Sequence, residues 1–238
     1  MPAFMFCGQP VRPSDGLLFG MRLPLFPLDV VLFPGALLPL HIFEPRYQQM
    51  LADCTAGDNR FGIVPTGENG KPPTGVIGTI AEVRAAQPMG DGRSSIVVSG
   101  ERRFMLRRYE DDPAPYFVGI GDPFEDDSDD IEEANQHTVA LRQLADRCAA
   151  ALGTLTLAPT STAWAADAAT LTFQIAAMLD TDLDFKQRFL GMRSAMHRVA
   201  VLLSLLPKVA VDLEARAAVR ERAKKNGTGG AHADVVTT

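Results

Sequence analysis

The spacing of apolar positions changes about halfway along the chain. Up to residue 124, short runs of β-branched and aromatic residues alternate with glycine and proline. Beyond it, apolar residues recur every three or four positions. In the first half this pattern predicts strands over 29–33, 37–43, 61–64, 75–85, 95–99, 102–109 and 117–120. Asp91-Gly92 falls between two of them and fits a hairpin connection. About seven short strands of this spacing predict a small barrel or sandwich. One helix interrupts them. Pro45 suits its first position, Tyr47, Met50, Leu51 and Cys54 form its apolar face, and Gly57 suits its end.

The second half predicts helices. Leu141, Leu144, Cys148 and Ala151 step by three and four, as do Trp164, Ala168, Leu171, Ile175 and Met178 after the capping candidates Ser161 and Thr162. Phe185 and Phe189 mark a short helix. Ser194 suits the cap of the next, whose apolar face is Met196, Val199, Leu202, Leu203 and Leu206. Pro207 is expected to kink or end it, with a last amphipathic, basic helix over 209–225.

Composition sharpens this division. Fifteen of the 17 prolines and 15 of the 20 glycines lie at or before Pro123, so turns belong to the first half. Residues 125–133 pack seven carboxylates and read as a solvated, self-repelling joint. The predicted organisation is a loose leader over 1–21, a β domain over 22–124, the acidic joint over 125–133, a helical lobe over 134–225 and a disordered tail over 226–238. Met21 offers a second plausible start. The net charge of −6 argues against non-specific binding to phosphate backbones. Three scattered cysteines suit a reducing compartment. The most apolar run, 199–206, is far shorter than the ~20 residues of a membrane span, and the N-terminus lacks the pattern of a signal peptide. A cytoplasmic protein is expected.

Catalytic signals are sparse. Gly67-Glu68-Asn69-Gly70-Lys71 resembles a phosphate loop, but Pro65 stands where the first glycine is needed and Pro72 replaces the magnesium-binding hydroxyl. A hairpin tip is the better reading. No pair of histidines has metal-binding spacing and no C-x-x-C occurs, so no metal and no cofactor are predicted. His41 has no matching nucleophile.

One ordered string of motifs is more specific. It runs through Leu23-Pro24-Leu25-Phe26-Pro27-Leu28, Val31-Leu32-Phe33-Pro34-Gly35, Leu38-Pro39-Leu40-His41-Ile42-Phe43-Glu44-Pro45-Arg46-Tyr47 and Phe61-Gly62-Ile63-Val64. Gly75-Val76-Ile77-Gly78-Thr79, Gly100-Glu101-Arg102-Arg103-Phe104 and, in the helical half, Asp184-Phe185-Lys186-Gln187-Arg188-Phe189-Leu190 follow. Over residues 22–207 the chain resembles the N-terminal domain of Lon proteases, in the style of stand-alone bacterial proteins that carry only that domain. The resemblance implies an α+β fold, a PUA-like β pseudo-barrel followed by a C-terminal helical bundle. It also implies a non-enzymatic module that recognises unfolded or peptide-like protein clients, linked to protein quality control, with a separate protease or ATPase as a further partner. The ATPase loop is missing, and no lysine between Lys71 and Lys186 follows the Ser94-Ser95 pair to make a Ser–Lys dyad.

Phe43, Glu44, Arg46 and Tyr47 are the candidate peptide-binding residues, expected to border a groove between barrel and helix. Their alternative role is structural: Arg46 would tie the helix to the barrel by a bidentate bond, and Phe43, like Leu25, Phe26 and Phe33, would be core. RNA binding is the competing function, because PUA-like barrels in other families bind RNA. The acidic balance and the few tyrosines of the first half argue against nucleic acid, and nothing suggests a membrane partner.

Overall fold

The computed structural model describes residues 20–156 and 163–227; residues 1–19 of the leader, those after 227 and the capping candidates Ser161 and Thr162 lie outside them, while Met21 already belongs to the first strand and residues 226–227 to the last helix. The strands are β1 (Met21–Leu28), β2 (Leu37–Ile42), β3 (Arg60–Pro65), β4 (Ile77–Pro88), β5 (Ser94–Tyr109) and β6 (Phe117–Pro123), with helix α1 (Pro45–Ala56) between β2 and β3. Helices α2 (Ile131–Asn135), α3 (Thr138–Thr156), α4 (Ala168–Met178), α5 (Leu183–Leu190) and α6 (Ala195–Gly227) follow.

The long strand β5 organises the sheet. Its first half pairs with β2 on one side and β4 on the other, and its second half pairs with β4 and β6. Because β6 continues to β1, β1 to β3 and β3 to β4, five strands close on themselves and β2 remains as a flap on β5. Closure removes the free edges that an open sheet would expose. Neighbouring residues of β1 point to opposite faces and both faces are apolar: Leu25 enters the barrel interior beside Phe104 and Leu106, and Phe26 enters the layer under α1 beside Tyr47 and Phe61. The interior is narrow. A Cβ at Gly62 or Gly121 would lie 2.6 or 2.5 Å from the Phe104 ring. At Gly100 a Cβ would lie 2.2 Å from the Phe33 carbonyl oxygen, so only glycine lets the 33–36 turn lie against β5. That turn carries Phe33 into the helical core, where its ring lies 5.8 Å from Phe173 and 6.1 Å from Phe189.

The acidic segment between strands and helices keeps most of its carboxylates exposed, but two of them, Asp126 and Asp130, are taken up by the fold. Asp126 accepts hydrogen bonds from Arg103 of β5 and from both terminal nitrogens of Arg198 of α6. Both arginines are buried. Arg103 also donates to the Leu190 and Met192 carbonyls, and Arg198 to the Met192 carbonyl and the Thr172 hydroxyl. The Phe173 ring lies 4.2 Å from the Arg198 guanidinium. Burial pulls Arg103 down to about 10, with Asp126 opposing that shift, so it keeps its charge at neutral pH. Asp130 accepts from the Ser194 hydroxyl and from the Ala195 and Met196 amides, which adds a second cap to the start of α6. Ser194 itself accepts from the His197 amide at 2.9 Å, as expected of a cap.

Other expectations are corrected. The first strand is 21–28 rather than 29–33, despite Pro24 and Pro27. Residues 21–25 pair with β6 and 25–28 with β3, so each proline has a strand neighbour on one side only, where a missing N–H is tolerated. The runs 95–99 and 102–109 form one strand through Gly100. Trp164 precedes α4, which Asp167 caps through the Thr170 amide, and donates its indole N–H to Asp146. Pro207 neither ends α6 nor divides it in two. Its missing bond and ring clash cost about 3 kcal/mol. Leu202, Leu206, Ala210 and Leu213 stay buried on one face, each leucine contributing about 1.5–3 kcal/mol, which outweighs the break.

Replacing Asp126 by Asn should destabilise the fold by about 3–5 kcal/mol in denaturant unfolding, because two buried guanidiniums lose their shared counter-charge. Arg193→Ala, which breaks an exposed pair with Asp127, should change stability by under about 1 kcal/mol. The Ser194 hydroxyl holds the Asp130 carboxyl below its ordinary value of 3.8. Its stabilising contribution is therefore complete above that value and lost as the pH falls through the depressed one. Asp130→Asn should flatten this acid limb of a stability–pH curve.

Candidate functional site

Only Phe43 and Glu44 separate β2 from α1. Pro45 presets the backbone for the first helical turn, so the connection cannot lengthen into a loop. The tight corner leaves Phe43 60% exposed. Four residues later Tyr47 points inward and is 5% exposed, with its ring 4.3 Å from Phe26. An exposed ring thus stands beside a buried apolar layer.

These residues border a groove of about 340 Å³. Phe26 and Leu28 of β1, Leu40 of β2 and Tyr47 of α1 supply apolar lining, and Phe43, Glu44 and Arg46 line it beside the start of α1. Thr66 and Gly70 of the β3–β4 loop complete it. All four sequence-predicted residues therefore meet at one depression. The loop residues escaped sequence reasoning. The Gly67–Lys71 segment stood out only as a failed phosphate loop, and nothing in its local pattern ties it to residues 43–47. It occupies the β3–β4 hairpin connection, as expected, with Asn69 and Gly70 at positive φ.

Arg46 does not tie the helix to the barrel. It pairs with Glu44 at 2.8 Å, both side chains are more than a third exposed, and its guanidinium lies 4.5 Å from the Tyr47 ring. Glu44 occupies the N-cap position, but its carboxylate turns to Arg46 and caps nothing. Phe43 is likewise not core; it continues the row of Leu37, Pro39 and His41, which are all exposed on one face of β2. The His41 and Phe43 rings stack with centroids 6.2 Å apart.

The lining is suited to contact rather than to bond-making. Burial raises the Tyr47 hydroxyl, so the phenol stays neutral at physiological pH. Glu44 is engaged by Arg46, and among the described residues no serine or cysteine lines the groove beside His41. Among the described residues no cluster of three or more His, Cys, Asp or Glu is arranged to hold a metal ion, and no helix is long and apolar enough to cross a membrane. An apolar floor, a projecting ring and a salt bridge at the rim match a ligand that buries one or two apolar side chains.

The family profile described as the ATP-dependent protease La (LON) substrate-binding domain matches residues 22–208. Lon protease 2 of Myxococcus xanthus is 28% identical over 192 residues, which is 77% of this chain and 23% of that protein. The Lon protease of Cytophaga hutchinsonii is 29% identical over 103 residues, 40% of this chain and 12% of that protein. The chain thus spans less than a quarter of the length of these relatives. Among solved structures, a Lon N-terminal domain protein from Xanthomonas campestris is similar with a TM-score of 0.59 and 28% identity, over 78% of this chain and 98% of that one. The N-terminal domain of Mycobacterium avium complex Lon protease shares the fold at 18% identity and a TM-score of 0.56, over 79% of this chain and 98% of that one.

Because the Arg46–Glu44 pair is exposed, Arg46→Ala should alter unfolding free energy by under about 1 kcal/mol rather than the larger loss a buried tie would bring. A melting experiment on the variant checks this.

Proposed function

The chain belongs to the Lon substrate-binding domain family, and on that premise we propose that it is a substrate-recognition module that binds unfolded or peptide-like protein segments at the groove beside Phe43. The observation that carries this reading is an exposed phenylalanine standing over a buried apolar floor. Unfolded chains offer the apolar side chains such a groove takes, and folded clients hide them. Backbone pairing at the β2 edge is a poor route to the same end. The Gly100 amide donates to the Ala36 carbonyl, so the alternation of antiparallel bonds turns residues 37, 39 and 41 to the free edge, and Pro39 has no N–H there. Recognition through side chains is the mode this edge allows.

In this reading the chain itself cuts no bonds and hydrolyses no nucleotide. It works in the cytoplasm in protein quality control, passing clients to a separate protease or ATPase. A single groove gives micromolar or weaker affinity, without the gain of roughly 10²–10⁴ that linked sites bring. The weak salt dependence expected follows from a largely apolar contact surface whose rim charges, Glu44 and Arg46, neutralise each other.

Titration with a fluorescently labelled, reduced and alkylated unfolded protein tests the proposal. Phe43→Ala should weaken binding about tenfold while shifting stability by under about 0.5 kcal/mol. Raising salt from 50 to 200 mM should leave the affinity within about twofold. RNA binding would behave differently, losing about 0.7 log units per tenfold rise in salt for each phosphate neutralised. Salt-sensitive RNA binding with no affinity for the unfolded protein would overturn the proposal.

A further inference from the structure

The β3–β4 loop carries the glycine-rich segment that the groove alone does not explain. Between the end of β3 at Pro65 and the start of β4 at Ile77 it makes local turns, Gly70 and Lys71 donating to Gly67 and Glu68. It rejoins the barrel at Gly75, whose amide donates to the Leu106 carbonyl, and at Val76, whose carbonyl accepts from the Leu106 amide. Across the intervening stretch two tethers to the barrel converge on Tyr109. Its hydroxyl donates to the Pro72 carbonyl and the Lys71 ammonium lies 4.3 Å from its ring centroid. Tyr109 is itself held, as the last residue of β5 with its ring 5.7 Å from Phe117. The loop also has pivots. Gly67 has ordinary extended backbone but a Cβ there would lie 2.0 Å from the Lys71 carbonyl oxygen, and Gly75 sits at a φ of +86°, so a side chain is excluded by crowding at one end of the span and disfavoured by backbone conformation at the other. Pro72 and Pro73 stiffen the part that Tyr109 grips.

We propose that residues 66–74 form a movable wall of the Phe43 groove, latched by Tyr109. The wall and the groove are one structure, because Thr66 and Gly70 line the groove while Lys71 and Tyr109 line the depression behind the loop. Releasing the latch loosens the Gly67–Lys71 turns and lets Gly70 move off the groove between Gly67 and Gly75, which widens it for a bulky side chain. A neutral hydrogen bond of this kind shifts an equilibrium by about fivefold, so the latched state is favoured without being locked. A client that needs the wider groove is then bound with an affinity set by the open fraction. The mechanism rests on the Phe43 groove as the client site, but the latch itself is testable without any client.

Tyr109→Phe keeps the ring and its packing and removes only the bond to Pro72. Amide hydrogen exchange of the free protein should then speed up about fivefold at Gly70 and Lys71, whose bonds lie within the loop, with exchange in β3 and β5 unchanged. Unchanged exchange at Gly70 and Lys71 overturns the latch, whatever the protein binds. Faster exchange spread evenly over the barrel overturns it too, since the variant would then be destabilised as a whole. In a parallel titration with the labelled unfolded protein, Tyr109→Phe should bind severalfold more tightly than the unsubstituted protein. Equal affinity would show that loop opening does not gate the groove. Absence of binding by either protein would count against the groove as client site and leave the exchange result standing.

Discussion

Asp126 is shared between two buried guanidiniums, and much of the architecture depends on that arrangement. Arg103 comes from the strand that closes the barrel and Arg198 from the long C-terminal helix. Neither could be buried without a counter-charge, since desolvating an isolated ion costs several kcal/mol. One carboxylate from the connecting segment serves both, and the main-chain carbonyls of Leu190 and Met192 and the Thr172 hydroxyl take further donors. The positions of β5, the α5–α6 turn and α6 are thereby coupled. Phe33, buried with Phe173 and Phe189, and the bond from the Gln187 amide group to the Ile77 carbonyl at 2.7 Å extend the same contact.

With the barrel fixed against the helices, the corner between β2 and α1 is left for recognition. The closed strands leave β2 as the flap, and the two-residue corner after it turns one phenylalanine outward. The same corner buries Tyr47, so the exposed ring and its apolar floor arise from one constraint, the helical start imposed by Pro45. The rim charges neutralise each other. A surface of this kind favours apolar side chains over phosphates, in keeping with a chain of net charge −6.

Several turns and helix ends were legible from local signals. Pro45 and Gly57 bound α1 as expected, Asp91-Gly92 joins β4 to β5, and Ser194 caps α6. Long-range partnerships were not legible. The carboxylates at 125–133 look alike in sequence, and only the fold distinguishes Asp126 and Asp130, which find arginines or helix amides, from their exposed neighbours. Pro207 reads as a helix breaker because its penalty is local, whereas the burial that overrides it comes from the helices packed alongside. For the same reason the run of residues 43–47 was visible as a motif, and the loop that lines the groove with them was not.

The central claim is that client segments are held where Phe43, Tyr47 and the β3–β4 loop meet. Chemical-shift mapping of the isotope-labelled protein, titrated with an unlabelled unfolded protein, tests this most directly. The account predicts that amide shifts concentrate at residues 40–47 and 66–70 and are small along α3 and α6. Shifts clustered on the helices, with residues 40–47 unmoved at saturation, would contradict it.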